Sequence, residues 1–243
     1  MFAAIAQQRG DGTIAPLTVG ELFHGAALQR RGSAELIAAS VRERIVAGDL
    51  LGGDALREAE LADAFHVARN TVREALRLLT QAGLASYEMH HGVTVRRHTP
   101  EEVAQVFEVR AILEAAAASR AGTVGEDEAA PLRRAIEASE RAEASGDLKG
   151  LHTANLEFHR ALVHLAGNPK LDDIFNGLLA ELRLILSPLD LQNLGGPWLR
   201  RNRELIDLLM GGDGDAFRTR LQQYLDDSRR EVLAVLGVGT AAA

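Results

Sequence analysis

The chain of 243 residues contains no cysteine. Disulfides and thiolate metal sites are therefore excluded, and a reducing compartment is the simplest expectation. Long hydrophobic runs are missing as well, since the apolar stretch at residues 1–6 ends at Gln7, far short of a signal-peptide core or a membrane span. We therefore expect a soluble protein of the cytoplasm that makes no contact with a membrane.

An overall excess of positive charge is also absent, which ordinarily argues against a nucleic-acid partner. The formal net charge is −7, but it is unevenly distributed. Residues 1–98 carry 11 arginines and 11 acidic residues, whereas residues 99–243 carry 16 basic and 23 acidic residues. Because the acidic excess lies entirely in the second part, a local basic face remains compatible with the composition of the first part.

The first part of the chain contains a short α-helical pattern followed by a strand pattern. Residues 1–32 show no sustained apolar period and are predicted to form a flexible arm. Helices are then predicted at residues 33–47, 58–65 and 69–82, with Gly48 and Gly83 as stop signals. Residues 84–97 alternate on both sides of His91 and Gly92, which predicts a β-hairpin. Residues 33–98 thus read as a winged helix-turn-helix, with three helices and a hairpin wing.

A domain boundary is predicted at Thr99. Thr99 followed by Pro100 and Glu102 forms a capping box with proline at the first helical position. From here the fold class is mainly α, because only helical periodicity follows, at residues 100–121, 127–145, 148–166, 169–186, 197–210 and 213–236. We predict an antiparallel all-helical bundle over residues 99–236, for effector binding and dimerisation, and a tail over 237–243.

The third helix has the side chains that read DNA. Arg69 and Arg73 lie opposite its buried stripe, with Asn70 and Thr71 beside them. Arginine can bind guanine through two hydrogen bonds, asparagine can bind adenine, and a helix N-terminus favours phosphate. An isolated amphipathic helix of this kind more often has an ordinary solvated face, but the three-helix unit and the adjacent hairpin favour DNA binding.

Residues 56–84 closely resemble the DNA-binding signature of the GntR family of transcriptional regulators. The resemblance covers most of residues 33–97 and implies that Arg69 and Arg73 read double-stranded operator DNA, while His91 and Gly92 at the wing tip enter the minor groove. The sequence departs from the common family pattern at four positions, which leaves the operator sequence open. They are Ala59, Ala68, Asn70 and Thr71.

The second part resembles the FCD type of effector domain found in the FadR branch of that family. Three stretches carry the resemblance, namely residues 107–114, residues 155–169, and the last two helices around Asn202 and Tyr224. Many such domains hold a divalent metal with one aspartate and three histidines. Here His159 alone matches, because Asn155, Asn202 and Tyr224 stand at the other three ligand positions.

The substituted ligand set predicts a pocket without metal, because amide and phenol groups lack the charge and basicity of carboxylate and imidazole. A rearranged site that uses His152 and His159 stays open, with a solvent-facing His152 as its alternative. No other cofactor is expected.

Asn155, His159, Asn202 and Tyr224 can still hydrogen-bond a small-molecule effector, and Arg110 can supply a counter-charge for a carboxylate. An intrahelical pair between Arg110 and Glu114 is an equally good interpretation of that arginine.

The main hypothesis is a homodimeric regulator, usually a repressor in this family, that senses a small organic or sugar acid. Two alternatives belong to other classes. In one, the bundle serves dimerisation only, without an effector. In the other, a metal-dependent hydrolase is fused to a DNA-binding domain, but the sequence offers neither a competent metal site nor a nucleophile oriented by a base. We therefore expect no enzymatic activity.

Overall fold

The computed structural model describes residues 6–8, 14–16, 32–89, 92–188 and 191–235. The chain divides into two compact units, residues 1–33 and 34–243. In the first unit, β1 (Ala6–Gln8) pairs antiparallel with β2 (Ile14–Pro16). Most of the predicted arm at residues 1–32 lies outside the described residues, as does the predicted tail at 237–243.

Three short helices come next in the chain, α1 (Ser33–Ala47), α2 (Glu58–Phe65) and α3 (Arg69–Gln81). The predicted bounds differ from these by at most one residue. A left-handed residue, His66 at φ 53°, ends α2 and turns the chain toward α3. One face of α3 is buried against α1 and α2 through four apolar side chains, the stripe that the periodicity predicts. They are Val72, Ala75, Leu76 and Leu79.

A hairpin follows, with β3 (Ala85–Glu88) antiparallel to β4 (Gly92–Val95) and Ser86 opposite Thr94. The segment after α1 pairs with β4 as well, through an isolated antiparallel β-bridge between Ala55 and Thr94. Leu84 and Val95 fix the base of the hairpin in the core of the three helices. The three helices and the hairpin form the winged helix-turn-helix that the sequence predicts.

The capping box at the domain junction is confirmed. The Thr99 hydroxyl accepts a hydrogen bond from the Glu102 amide, and the Glu102 carboxylate accepts one from the Thr99 amide, with Pro100 in the first turn. The bundle that follows consists of α4 (Pro100–Ala115) with a 3-10 turn (Ala116–Arg120), α5 (Glu126–Ser145), α6 (Leu148–His164), α7 (Pro169–Leu186), α8 (Leu191–Met210) and α9 (Gly214–Val235).

The start of α8 corrects the sequence analysis. The pattern Gly195-Gly196-Pro197 predicts a break before a helix at 197–210, but α8 already begins at Leu191 and contains Pro197. Directly after the proline, Trp198 and Leu199 are buried in the bundle. Burial of these side chains stabilises the helix more than the lost backbone hydrogen bond at Pro197 destabilises it, so tertiary packing overrides local propensity.

Arg183 on α7 joins the bundle to the DNA-binding domain. The side chain is buried, and its guanidinium lies 3.2 Å from Thr153 Oγ1 on α6 and 3.5 Å from the carbonyl oxygen of Ala47, the last residue of α1. A cation at the carbonyl end of a helix is favourable. Gly48 follows α1 at φ +76°, and a Cβ there would lie 2.0 Å from the guanidinium. Glycine therefore permits the close approach between the two domains.

Candidate DNA-binding surface and effector site

The solvent-facing side of α3 presents the predicted DNA-reading residues together. Arg69, Asn70 and Arg73 are exposed and Thr71 is half-buried in the same first turns. The Arg73 guanidinium donates to Asn70 Oδ1 over 3.2 Å, so these two side chains form one hydrogen-bonding unit. Arg69 forms no hydrogen bond with another described residue, which leaves its five donors available to a ligand.

The N-terminus of α3 has no side-chain cap, because the preceding residue is Ala68. The first backbone N–H groups of the helix therefore have no side-chain acceptor, and a phosphate oxygen can occupy that place. The departure at Ala68 from the common family residue thus removes an intramolecular competitor for phosphate without disturbing the helix.

Glu58 is a residue that the sequence analysis missed. Its carboxylate accepts two hydrogen bonds from Arg73, at 2.8 Å and 3.0 Å, and the pair joins the start of α2 to α3. Hydrogen bonding to Arg73 lowers the pKa of Glu58 below its ordinary value, against a small opposing effect of burial. The pair holds the guanidinium in a fixed orientation before DNA arrives. The sequence offered one signal for this pair: Glu58 begins one helix and Arg73 follows fifteen residues later in the next helix.

The wing carries a further candidate that sequence reasoning passed over. Tyr87 on β3 is 76% exposed, although aromatic side chains are usually covered. It lies on the same strand face as the buried Ala85 but two residues nearer the hairpin tip, beyond the core, so the alternation of residues 84–97 alone could not have revealed its exposure. Gly92 begins β4 at φ +78° with open space around it, which is the conformation expected at a tight hairpin turn. His91 lies outside the described residues.

In the bundle, the predicted effector-binding residues meet in one buried chain of hydrogen bonds. His159 on α6 lies 3.0 Å from the Tyr224 hydroxyl on α9, which in turn lies 3.0 Å from Asn155 Oδ1. Asn202 on α8 donates to the same Asn155 oxygen over 3.1 Å. Each of these four side chains is at most 4% exposed. The residues chosen from sequence therefore share one site in the core, contributed by three helices.

The fifth predicted residue, Arg110, forms the intrahelical pair that was its alternative interpretation. Its Nε donates to Glu114 Oε1 over 2.5 Å, and the second carboxylate oxygen of Glu114 lies 2.7 Å from His159 Nδ1. Glu114 thus links Arg110 to the polar chain, and sequence reasoning treated it only as a partner of the arginine. Among the described residues, Arg110 Nη2 has no hydrogen-bond partner. A role of Arg110 in effector binding stays a prediction.

The proton positions in the buried chain of hydrogen bonds follow from the pKa shifts of its side chains. Burial alone would raise the pKa of Glu114, but Arg110 and His159 lower it below its ordinary value, so the carboxylate is ionised and can only accept. Burial and the Arg110 charge lower the pKa of His159, and burial raises the pKa of Tyr224. A neutral His159 therefore donates from Nδ1 to Glu114, which leaves Nε2 as an acceptor. The single proton of the Tyr224 hydroxyl can go to His159 Nε2 or to Asn155 Oδ1, so only one of these two contacts is a hydrogen bond at a time.

This arrangement does not fit the divalent metal that many FCD domains hold. The Nε2 lone pair that a metal would need is covered by the Tyr224 hydroxyl, and the other two positions offer neutral amides. No group of three His, Asp or Glu side chains suited to a metal occurs within the described part of the chain. The donor chemistry itself thus argues against a resident metal at this site.

His152 corrects one of the two interpretations offered for it. The side chain is 5% exposed and its ring packs edge-on against Trp198, with 6.3 Å between centroids, so it does not face solvent. The periodicity of α6 gave one buried face, but this helix packs against α5, α7 and α8 and is covered on several sides. His152 therefore belongs to the bundle core.

The buried chain leaves little internal space. The cavity that touches Asn155 and Asn202 has a volume of about 10 Å³, which is close to the space of a single water molecule. An effector at these residues would therefore have to separate side chains that now bond to one another.

The titration of His159 gives a testable pH dependence. Because its folded pKa is depressed, the unfolded chain takes up the proton first as the pH falls, and stability is lost from about pH 6.5 downward. We expect His159→Gln to show a smaller fall in melting temperature between about pH 7 and about pH 5 than the natural protein. His164→Gln, which alters an exposed histidine paired with Asp172, is the matched control. Parallel melting curves for the natural protein and His159→Gln would refute a neutral, buried His159.

Fold and site together define a winged helix-turn-helix DNA-binding protein with an all-helical second domain. Residues 33–95 match the family described as bacterial regulatory proteins, gntR family, and residues 105–227 match the FCD domain. The chain belongs to the GntR family of transcriptional regulators with an FCD domain; it is a DNA-binding regulator and not an enzyme. Within the described residues, every helix is too short or too polar to cross a membrane.

Named relatives agree with this assignment. A protein named as a probable D-xylose utilization operon transcriptional repressor of Paenarthrobacter nicotinovorans is 29% identical, over 82% of this chain and 90% of the relative. The gluconate operon transcriptional repressor of Bacillus licheniformis is 27% identical, over 62% of each chain. A solved GntR regulator structure from Rhodococcus sp. RHA1 is 29% identical and superposes with a TM-score of 0.75, covering 83% of this chain and 98% of that one.

Proposed function

We propose that this protein is a homodimeric repressor of the cytoplasm that binds a pseudo-palindromic operator and responds to a small organic or sugar acid. The DNA-binding part of this proposal rests on the exposed face of α3, where Arg69, Asn70 and Arg73 lie beside an uncapped helix N-terminus. In a helix-turn-helix this face enters the major groove. The Glu58 pair then keeps Arg73 oriented for a base edge or a phosphate.

The ligand-responsive half rests on the buried polar chain and on the relatives. Two relatives carry names that refer to D-xylose and gluconate operons, which makes a sugar or sugar acid the first ligand class to test. A polar chain in an otherwise apolar core gives fixed donors and acceptors for such a ligand. Effector binding would reach the DNA-binding domain through α6 and the Arg183 contact with α1.

A second candidate function is favoured by the closed state of the site. Because the cavity at Asn155 and Asn202 holds about one water molecule, the polar chain can equally be a structural network in a bundle used for dimerisation alone.

Thermal unfolding against a ligand panel separates the two functions. Gluconate, xylonate and D-xylose are suitable probes, and a ligand at about a hundredfold over its dissociation constant stabilises the folded state by about 2.7 kcal/mol. We expect one acid of the panel to raise the melting temperature and to change operator affinity. Tyr224→Phe removes only one hydroxyl from the chain, and we expect it to weaken that response. Absence of any shift across a broad acid panel would favour the dimerisation-only bundle.

The metal prediction can be tested in both directions. We expect protein purified without chelator to contain far less than one equivalent of zinc, nickel or manganese by elemental analysis. The variant Asn155→Asp/Asn202→His/Tyr224→His places one carboxylate and two more imidazoles beside His159, and we expect it to bind about one metal per chain. Stoichiometric metal in the natural protein would contradict our interpretation of these positions.

A further inference from the structure

A cavity of about 350 Å³ lies at the junction between the DNA-binding domain and the bundle. Its walls come from the turn after α1 at Leu51 and Gly52, from the linker at residues 96–98, and from the end of α7. Cavities that hold small ligands begin at about 300 Å³. This cavity can therefore take a metabolite without rearrangement, whereas the cavity at the buried polar chain cannot.

One side of the junction cavity is apolar. Val103, Leu184 and Ile185 line it and are themselves at most 5% exposed, so they form a fixed surface. Leu51 lines the cavity from the DNA-binding domain, and its side chain is 47% exposed. Because Val103, Leu184 and Ile185 already expose little area, a ligand with a short apolar body would gain mainly from removing its own apolar surface from water.

The other side carries unbalanced positive charge. Arg96 is paired with Glu102, but Arg97 forms no ion pair with any described residue, and its Nε donates to the Gly52 carbonyl over 3.1 Å. His98 also lines the cavity; its side chain is 2% exposed, and its Nε2 has no hydrogen-bond partner among the described residues, with Glu181 at 3.5 Å. One free guanidinium suits a single carboxylate better than a dianion.

From these observations we propose that the junction cavity is a second ligand site, separate from the buried polar chain, and that it binds a small amphipathic monocarboxylate. The carboxylate is held by Arg97, with His98 beside it, and the apolar body lies against Leu51, Leu184 and Ile185. Because the walls belong to both domains, occupancy alters how the DNA-binding domain is held. That last consequence rests on the proposed regulatory function, whereas the binding itself does not.

Calorimetric titration of the full chain tests the site with butanoate, hexanoate and octanoate, and with hexanol as the uncharged counterpart of hexanoate. We expect one of the acids to bind once per chain and hexanol to bind at least about tenfold more weakly. Arg97→Gln removes the cation, and Leu51→Trp fills the cavity from its exposed side; each should weaken the acid at least about tenfold, or 1.4 kcal/mol. Arg133→Gln, which alters an exposed arginine on α5, should bind as the natural protein does.

Three results would overturn the proposal. The first is that none of the three acids binds the folded natural protein. The second is that Arg97→Gln and Leu51→Trp bind the acid as well as the natural protein. The third is loss of binding in Tyr224→Phe but not in Arg97→Gln, which would place the acid at the polar chain. Operator affinity measured with saturating acid should change about fivefold or more; no change would overturn the regulatory consequence while the binding site stands.

Discussion

Replacement of Arg69 or Arg73 by alanine is expected to weaken operator binding roughly 10- to 100-fold each. A bidentate arginine–guanine contact contributes about 1–3 kcal/mol of discrimination, and both guanidinium groups lie on the exposed face of α3. Replacing an arginine that contacts a base should relax selectivity at one operator position. Replacing an arginine that contacts phosphate should reduce the slope of log affinity against log salt concentration by about one. Fluorescence anisotropy over a salt series measures both quantities.

Arg218→Ala is the matched control for these variants. Like Arg69 and Arg73, Arg218 is an exposed arginine, but it lies on α9 in the bundle, where it pairs with Asp215. It should bind the operator as the natural protein does, and all three variants should unfold at nearly the natural temperature because exposed substitutions change stability little. Full operator affinity in the Arg69→Ala/Arg73→Ala double variant would show that α3 is not the reading helix.

Replacement of Glu114 by alanine is expected to cost about 3–5 kcal/mol of unfolding free energy. The Arg110 guanidinium would remain in the core without its carboxylate, and His159 Nδ1 would lose its acceptor. An unpaired buried charge is the reason for the size of the effect, since the lost side-chain contacts alone would cost less. Urea unfolding at neutral pH measures it, with Glu108→Ala, an exposed carboxylate on the same helix, as the control.

The double variant Arg110→Met/Glu114→Leu isolates the electrostatic part. Removing both charges leaves no buried ion, so it should recover a substantial part of the stability that Glu114→Ala loses. If the double variant is as unstable as Glu114→Ala, packing at these positions is the dominant contribution and the polar chain is not organised around the ion pair.

Local sequence signals predicted the elements that depend on local physics. The capping box at Thr99 and the buried stripe of α3 were read correctly, because a cap needs residues three apart and a stripe needs residues three and four apart. The start of α8 was predicted wrongly, since the burial of Trp198 that stabilises it depends on distant helices. Sequence reasoning on one helix cannot include such contacts.

The candidate sites show the same division. Asn155, His159, Asn202 and Tyr224 were grouped through the FCD resemblance, and the structure places them in one hydrogen-bonded chain. Glu114 was overlooked because its link to His159 spans 45 residues of sequence. The junction cavity could not be predicted at all, since its walls come from three separate segments whose approach depends on how two domains pack.

Selection of bound sequences from a random duplex DNA library tests whether α3 reads a two-fold operator. We expect enrichment of a pseudo-palindrome whose two half-sites are separated by about one turn of DNA or a multiple of it, because one winged helix of a dimer would bind each half-site. The same selection with Arg69→Ala/Arg73→Ala should enrich no such sequence. A natural protein that enriches no common sequence, or enriches the same one after both arginines are removed, would contradict the assignment of α3 as the element that reads the operator.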